Sequence, residues 1–250
     1  MKNTDICGFR IEAGQYAAAV ESHLEWLTQR RSVVSYALHI GGLNLRSDEQ
    51  YVQVFNSCDY AYPDGMSVVL LARLAGQTKA ERVSTTDLGH DLLLRAPQLL
   101  GRPTRVAAIG GSVELSRSVS SAIERKYDAV VCYSRNGYDD FREEDSQQLI
   151  DSKPDLVLVG MGMPNEAFFC ATNRPNLPDC LIMTCGGWFG FICEIEARAP
   201  VFAQKSGLEW VYRLSQNPRR LAKRYGSGVI TMIALGAELA LGRLRKVLLR

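Results

Sequence analysis

The chain has 250 residues, of which 46% are apolar and 22% charged, and its formal net charge is +2. That length suits one large domain, or a domain with an appendage, around a sizeable core, and the balance is that of a soluble globular protein, not a polycation. No apolar run reaches the roughly 20 residues that cross a bilayer, and the opening MKNTDICGFRIEAG lacks the apolar centre of a signal peptide.

In chain order, Cys7 to Ile11 is expected as a short edge strand, and Ala13 to Gln29 as a helix with Ala17, Val20, Leu24 and Leu27 on one side. Ser35 to Ile40 is expected as a strand that Gly41-Gly42 breaks. Ser47-Asp48 caps a helix through Phe55, and Cys58 to Tyr62 is a short extended piece ending at Pro63-Asp64-Gly65. Met66 to Leu74 is a buried helix, and Asp87 to Leu100 is another, introduced by Ser84-Thr85-Thr86, with Asp87 as its cap. Then come strand Arg105 to Ile109, helix Val113 to Lys126 and strand Ala129 to Tyr133. After the polar loop RNGYDDF follow helix Glu143 to Asp151, strand Leu156 to Val159 running into GMGMP, and strand Cys180 to Thr184 running into CGGWFG. Apolar strands alternating with amphipathic helices specify an α/β fold, a Rossmann-like and mostly parallel sheet with helices on both faces. Seven cysteines, irregularly spaced and without a C-x-x-C pair, fit reduced thiols in a cytosolic chain, not a disulfide frame or a zinc site.

In such sheets ligands sit at the carboxyl ends of the strands. Three glycine turns fall there: Gly110-Gly111, Gly160-Met161-Gly162 and Gly186-Gly187. Each is either a tight turn or a cradle whose backbone N–H groups meet phosphate. None matches G-x-G-x-x-G or a Walker loop. Asp64, between Pro63 and Gly65, is either a general base in a crevice wall or a turn residue capping the next helix. Asn44 is either a sugar ligand or an ordinary turn asparagine, and Arg82 sits just ahead of Asp87. The histidines have no ligand spacing, so no metal is expected.

The last stretch is different in charge. From Lys205 onward cations outnumber carboxylates ten to two. On a helix Trp210, Val211 and Leu214 form an apolar stripe with Arg213 beside it. Pro218 suits the first position of a second helix, which brings Arg220, Lys223 and Arg224 to one face. This is either a diphosphate clamp or a solvated basic helix. Gly226-Ser227-Gly228 is expected to be a hinge before a final helix, Val229 to Arg250. There Ile230, Ile233, Ala237, Leu241, Leu244 and Leu248 make one stripe, and Arg243, Lys246 and Arg250 another. Such a helix either lies in a membrane interface or packs on protein. The division this gives is a core over 1–197 and a basic helical appendage over 198–250.

VFNSCDYAYPDGMSVVLLARLAG, ERVSTTDL, PDLVLVGMGMP, GGWFGF and RAPVFAQKSGLEWVYRLSQNPRRLAKRY, in that order, resemble the WecG/TagA/CpsF glycosyltransferase family over nearly the whole chain. The resemblance implies an inverting, metal-independent transferase without a cofactor. It would move a sugar from a UDP-sugar to an undecaprenyl-diphosphate-linked saccharide at the inner face of the cell membrane, feeding surface-polymer synthesis. It puts the base on Asp64 and the family's arginine ahead of its D-L helix on Arg82. Its diphosphate arginines fall on Arg213, Arg220 and Lys223 or Arg224. Its Thr-x-Asn motif falls on Gly42-Leu43-Asn44, which keeps only the asparagine. Its Pro-x-Gln-Glu reads Pro164-Asn165-Glu166-Ala167 here, and its Gly-Gly-x-Phe-Asp reads Gly186-Gly187-Trp188-Phe189-Gly190. The implied partners are a UDP-sugar, a lipid-linked diphosphate saccharide and an anionic membrane surface, with no nucleic acid; homo-oligomerisation stays open. A nicotinamide oxidoreductase and a non-catalytic polyanion-binding module are the competing readings.

Overall fold

The computed structural model describes residues 3–200, 202–203 and 208–248 and, within the last helix, not the side chains of 220, 224 and 242–248. The chain opens with an antiparallel hairpin, β1 (Asn3–Ile6) and β2 (Phe9–Glu12), where a single edge strand was expected. Cys7 and Gly8 form its two-residue turn with φ of 52° and 94°. Paired positive φ is the signature of a tight hairpin turn, and a cysteine in that conformation gives no sequence cue.

Six parallel strands follow: β3 (Val33–Leu38), β4 (Tyr60–Pro63), β5 (Thr104–Gly110), β6 (Ala129–Arg135), β7 (Leu156–Gly160) and β8 (Leu181–Thr184). They lie in the order β4-β3-β8-β7-β5-β6. β7 and β8 are buried from end to end, as strands covered on both faces must be. Side chains alternate between two cores. Val157, Val159 and Ile182 face one, and Leu156, Leu158, Leu181 and Met183 the other. The helices are α1 (Tyr16–Thr28), α2 (Ile40–Leu43), α3 (Glu49–Asn56), α4 (Met66–Leu74), α5 (Thr85–Leu100), α6 (Val113–Lys126), α7 (Glu143–Asp151), α8 (Asn165–Asn173), α9 (Trp188–Ile192), α10 (Glu209–Gln216) and α11 (Pro218–Leu248). The second core is closed by α1, α5, α6 and α9, and the first by the hairpin, α3, α4, α8 and Leu235 of α11.

At the amino ends of the strands Asp155 is a buried strut. Its carboxylate accepts from Arg102 Nη1 and Nη2 at 2.7 and 2.8 Å and from the Arg105 backbone N–H at 2.9 Å. This ties the start of β7 to the start of β5. The opposite, carboxyl ends of the strands carry the turns.

Several expectations change here. Gly41-Gly42 does not simply break a strand but lies within α2. Asp87 does not cap α5; Ser84 holds the N-cap position, and Asp87 pairs with Arg198. Gly226-Ser227-Gly228 is no hinge, because α11 runs through it without a break. Gly228 is there for packing: a Cβ on it would come within 2.5 Å of Ile40 Cγ1. Asn44 Nδ2 donates to Ser227 Oγ at 2.9 Å and Arg46 Nη1 to Thr231 Oγ1 at 3.1 Å, so α11 is seated on the segment after β3. Its packed side carries Thr231 and Leu235, while Ile230, Ile233 and Leu241 are exposed. On α10 the expected stripe is not buried either: Trp210 and Val211 are exposed, and Trp210 meets Tyr225 of α11 with ring centroids 5.8 Å apart.

Candidate active site

A cavity of about 500 Å³ opens where β3, β4, β7 and β8 end. Each strand contributes the residue that follows it: His39 after β3, Asp64 after β4, Gly162 shortly after β7, and Cys185 with Gly186 and Gly187 after β8. Arg213 of α10 and Lys223 and Ser227 of α11 line it as well. A larger cavity of about 550 Å³ lies near the edge strand β6, where Arg117 and Arg135 face Asp139 and Asp145. That one gathers compensated charges at one edge; the first gathers the ends of four strands around a carboxylate, and the chemistry belongs there.

Asp64 is held by its neighbours on three sides. Its backbone N–H donates to Leu38 O at 2.8 Å, joining it to β3. Val83 N–H donates to Pro63 O at 2.9 Å, which lays the Arg82–Ser84 segment alongside. Thr85 Oγ1 donates to Asp64 Oδ2 at 3.1 Å. The helix after Asp64 has Gly65 at its N-cap and no side-chain cap, so the capping role is not what this carboxylate does. Burial pushes the Asp64 carboxyl above its ordinary value; Arg82, the Thr85 hydroxyl and Arg213 pull it back, and Glu209 pushes it up. The net direction is upward, toward a stronger base.

Asn44 lines the cavity while bonded to Ser227. Arg82 stands beside Asp64 but its Nη2 is paired with Glu209 Oε2 at 2.7 Å, an ion pair that also fastens α10. Arg213 lies with its guanidinium carbon 5.1 Å from the centre of the Phe191 ring and its Nη2 3.6 Å from Glu196 Oε2. Lys223 is exposed on its helix and borders the cavity. The side chains of Arg220 and Arg224 lie outside the described residues.

The glycine turns divide. Gly162, Gly186 and Gly187 line the cavity; Gly110, Gly111 and Gly160 do not. A Cβ on Gly110 would meet Gly160 O at 2.2 Å, and one on Gly160 would meet Phe189 at 2.7 Å, so these glycines allow strands and α9 to approach. Nor are all the remaining N–H groups open to phosphate. Glu166, 2% exposed, accepts from Gly162 N–H at 2.9 Å and Gly186 N–H at 3.0 Å through one oxygen.

His39 and Thr85 are cavity residues that sequence reasoning passed over. His39 Nδ1 accepts from the N–H groups of Gly41 at 3.0 Å and Gly42 at 3.3 Å, which leaves the ring proton on Nε2. Its place directly after a buried strand was the signal, at the carboxyl end where ligands bind. Among the described residues no three His, Cys, Asp or Glu side chains converge as metal ligands.

The profile of the glycosyl transferase WecG/TagA/CpsF family matches residues 4–246. Over 204 residues the chain is 30% identical to an N-acetylglucosaminyldiphosphoundecaprenol N-acetyl-beta-D-mannosaminyltransferase of Bacillus spizizenii, covering 80% of this chain and 78% of that one. A parallel sheet whose strand ends gather around the half-buried Asp64 carboxylate, with the basic helices α10 and α11 lining the same cavity, is thus found in a chain that belongs to the WecG/TagA/CpsF family of glycosyl transferases.

Proposed function

We propose that the protein is an inverting, metal-independent transferase. It moves an N-acetylhexosaminyl or hexosyl group from a UDP-sugar to a saccharide carried on undecaprenyl diphosphate, for surface-polymer synthesis. The observation that carries this reading is the placing of Asp64, with its raised carboxyl, in one cavity with Arg213 and Lys223. The acceptor specificity in the name of the Bacillus spizizenii relative supports the lipid-diphosphate class.

In the reaction the acceptor hydroxyl oxygen attacks the anomeric carbon from the face opposite the leaving group. Its proton passes to Asp64 as the new C–O bond forms. The bond from the anomeric carbon to the phosphate oxygen breaks, and UDP leaves with the electron pair. Arg213 and Lys223 balance that charge as fixed cations, needing no reorganisation when it develops.

No helix among the described residues is long and apolar enough to cross a membrane. Ile230, Ile233 and Leu241 on α11 and Leu70 and Leu74 on α4 nevertheless expose apolar surface on adjoining helices. This supports peripheral binding to the cytoplasmic face of the membrane, where the lipid-linked acceptor resides. The test is Asp64→Asn, which keeps shape and removes basicity. A general base contributes about 10²- to 10⁴-fold, so transfer should fall by that factor with folding intact. Turnover at the wild-type rate would remove Asp64 from the mechanism.

A further inference from the structure

An ionised carboxylate has two oxygens, and a base works best when only one of them is available in the right direction. At Asp64 the other is taken. Thr85 Oγ1 lies 3.1 Å from Oδ2, and Tyr62 Oη lies 3.0 Å from Thr85 Oγ1. Tyr62 is 0% exposed and Thr85 5%. The direction of this chain is fixed by its ends. The carboxylate can only accept, so the single hydroxyl proton of Thr85 goes to Oδ2, and Tyr62 must then donate to Thr85. Burial holds the Tyr62 phenol well above its ordinary value, so it keeps its proton.

We propose that Thr85, oriented by Tyr62, is a positioning residue for the transfer step: it occupies Asp64 Oδ2 and leaves Oδ1 alone to receive the proton of the acceptor hydroxyl. This rests on Asp64 being the base. When the new glycosidic bond forms and the bond to phosphate breaks, the proton arrives on Oδ1. Oδ2 becomes the carbonyl oxygen of a neutral acid and still accepts from Thr85, so the contact need not rearrange and no proton travels along the chain. Thr85 can do this because it is the first residue of α5, and the Val83-to-Pro63 bond lays the start of that helix beside the end of β4. Among the described residues, the charged and titratable groups around Asp64 are Arg82 before α5, Glu209 and Arg213 of α10, Lys223 of α11, Glu166 of α8, His39, Cys185 and Tyr62 itself. Of these, only Tyr62 bonds to the Thr85 hydroxyl.

The experiment follows the Asp64 side-chain carboxyl by ¹³C NMR through a pH titration of the full-length protein, as wild type, Thr85→Val, Thr85→Ser and Tyr62→Phe. The same proteins are assayed for transfer from UDP-N-acetylmannosamine to N-acetylglucosaminyl-diphospho-undecaprenol across pH. Losing a hydrogen bond to the charged form should raise the Asp64 midpoint in Thr85→Val and move the acid limb of kcat upward with it. It should also lower kcat by about tenfold or more with KM unchanged, the pattern of a contact that matters only in the transition state. Thr85→Ser should restore all three, and Tyr62→Phe should fall between. An unmoved midpoint in Thr85→Val, or a moved midpoint with kcat intact while Asp64→Asn is inactive, would overturn the positioning role. Full activity of Asp64→Asn would instead strike the base itself and take the positioning role with it, so the two failures are told apart.

Discussion

Gly226 and Gly228 flank Ser227 in the same helix, and they should answer oppositely to the same added methyl group. Nothing lies within 4 Å of a Cβ at Gly226, whereas one at Gly228 would sit 2.5 Å from Ile40 Cγ1. That atom adjoins the branch point of a side chain at the start of α2, so it cannot swing away as a chain end could. In a helix interior Gly→Ala gains about 0.8–1 kcal/mol of propensity. At 228 the same gain is opposed by overpacking of about 1–3 kcal/mol. The two variants should therefore differ by about 1–3 kcal/mol in holding α11 down, a roughly five- to 150-fold ratio in its opening. Hydrogen exchange read by mass spectrometry over 228–241, alongside the transfer rate, measures this. Gly226→Ala should be protected at least as well as wild type and fully active. Gly228→Ala should exchange faster in α11 alone and lose transfer, because Lys223 rides on that helix and the Asn44–Ser227 and Arg46–Thr231 bonds sit at the seam. Equal protection in the two variants would refute the seated appendage.

Other outcomes follow from the same geometry. Because folding raises the Asp64 carboxyl, the folded state holds that proton more tightly than the unfolded chain, and wild type loses stability as pH rises through the raised value. Asp64→Asn lacks that loss, so it should melt no lower than wild type at pH 8, with its relative advantage shrinking toward acid pH; a lower melting point at pH 8 would contradict the sign. Arg213→Ala should weaken use of the diphosphate substrates by about 1.5–3 kcal/mol in kcat/KM, with Arg213→Lys recovering only part. Asp155→Ala should cost about 3 kcal/mol in urea unfolding, the low end for a buried charged acceptor, because Arg102 and Arg30 remain partly in water. The Asp155 carboxyl is held below its ordinary value, since the Arg102 bonds and the Arg105 N–H outweigh burial; its contribution is present at neutral pH and is lost as pH falls through that depressed value. Replacing Ile230 and Ile233 with Glu should abolish pelleting with phosphatidylglycerol vesicles and leave the melting temperature unchanged; undiminished pelleting would reject the membrane face.

Strands buried on both faces are easy to read, because apolar runs such as Leu156 to Val159 have no other use in a chain of this composition. Helices with a polar face were equally legible: Val113–Lys126 and Glu143–Asp151 agree to the residue, and so do the bounds of Met66–Leu74, although that helix is not wholly buried, since Leu70 and Leu74 are exposed. What was not legible depends on packing. The Cys7 turn needs a conformation that cysteine rarely adopts, and the extra residue of β6 at Cys132 carries it on to Arg135. Gly226 and Gly228 have the composition of a hinge, and only the proximity of Ile40 shows that one of them is a contact. At the site, Asp64 and Arg213 could be proposed from the strand-end rule and the charge pattern. The two turns with Gly110 and Gly160 look like phosphate cradles in sequence, yet their missing side chains make room for backbone and Phe189. Thr85 could be found only once β4 and α5 were seen side by side.

The Glu166 carboxylate has a last consequence for how a substrate lies. By taking the N–H groups of both Gly162 and Gly186, it removes donors from the sheet side and puts negative charge there together with Asp64. Positive charge comes from overhead, on Arg213 and Lys223. The cavity thus has the carboxylates Asp64 and Glu166 at the strand ends and Arg213 and Lys223 on the helices that line its other side, with the Arg82–Glu209 pair between them. Under the proposed reaction a sugar nucleotide would lie with its phosphates toward Arg213 and Lys223 and its sugar toward the strand ends, an orientation set before any bond is broken.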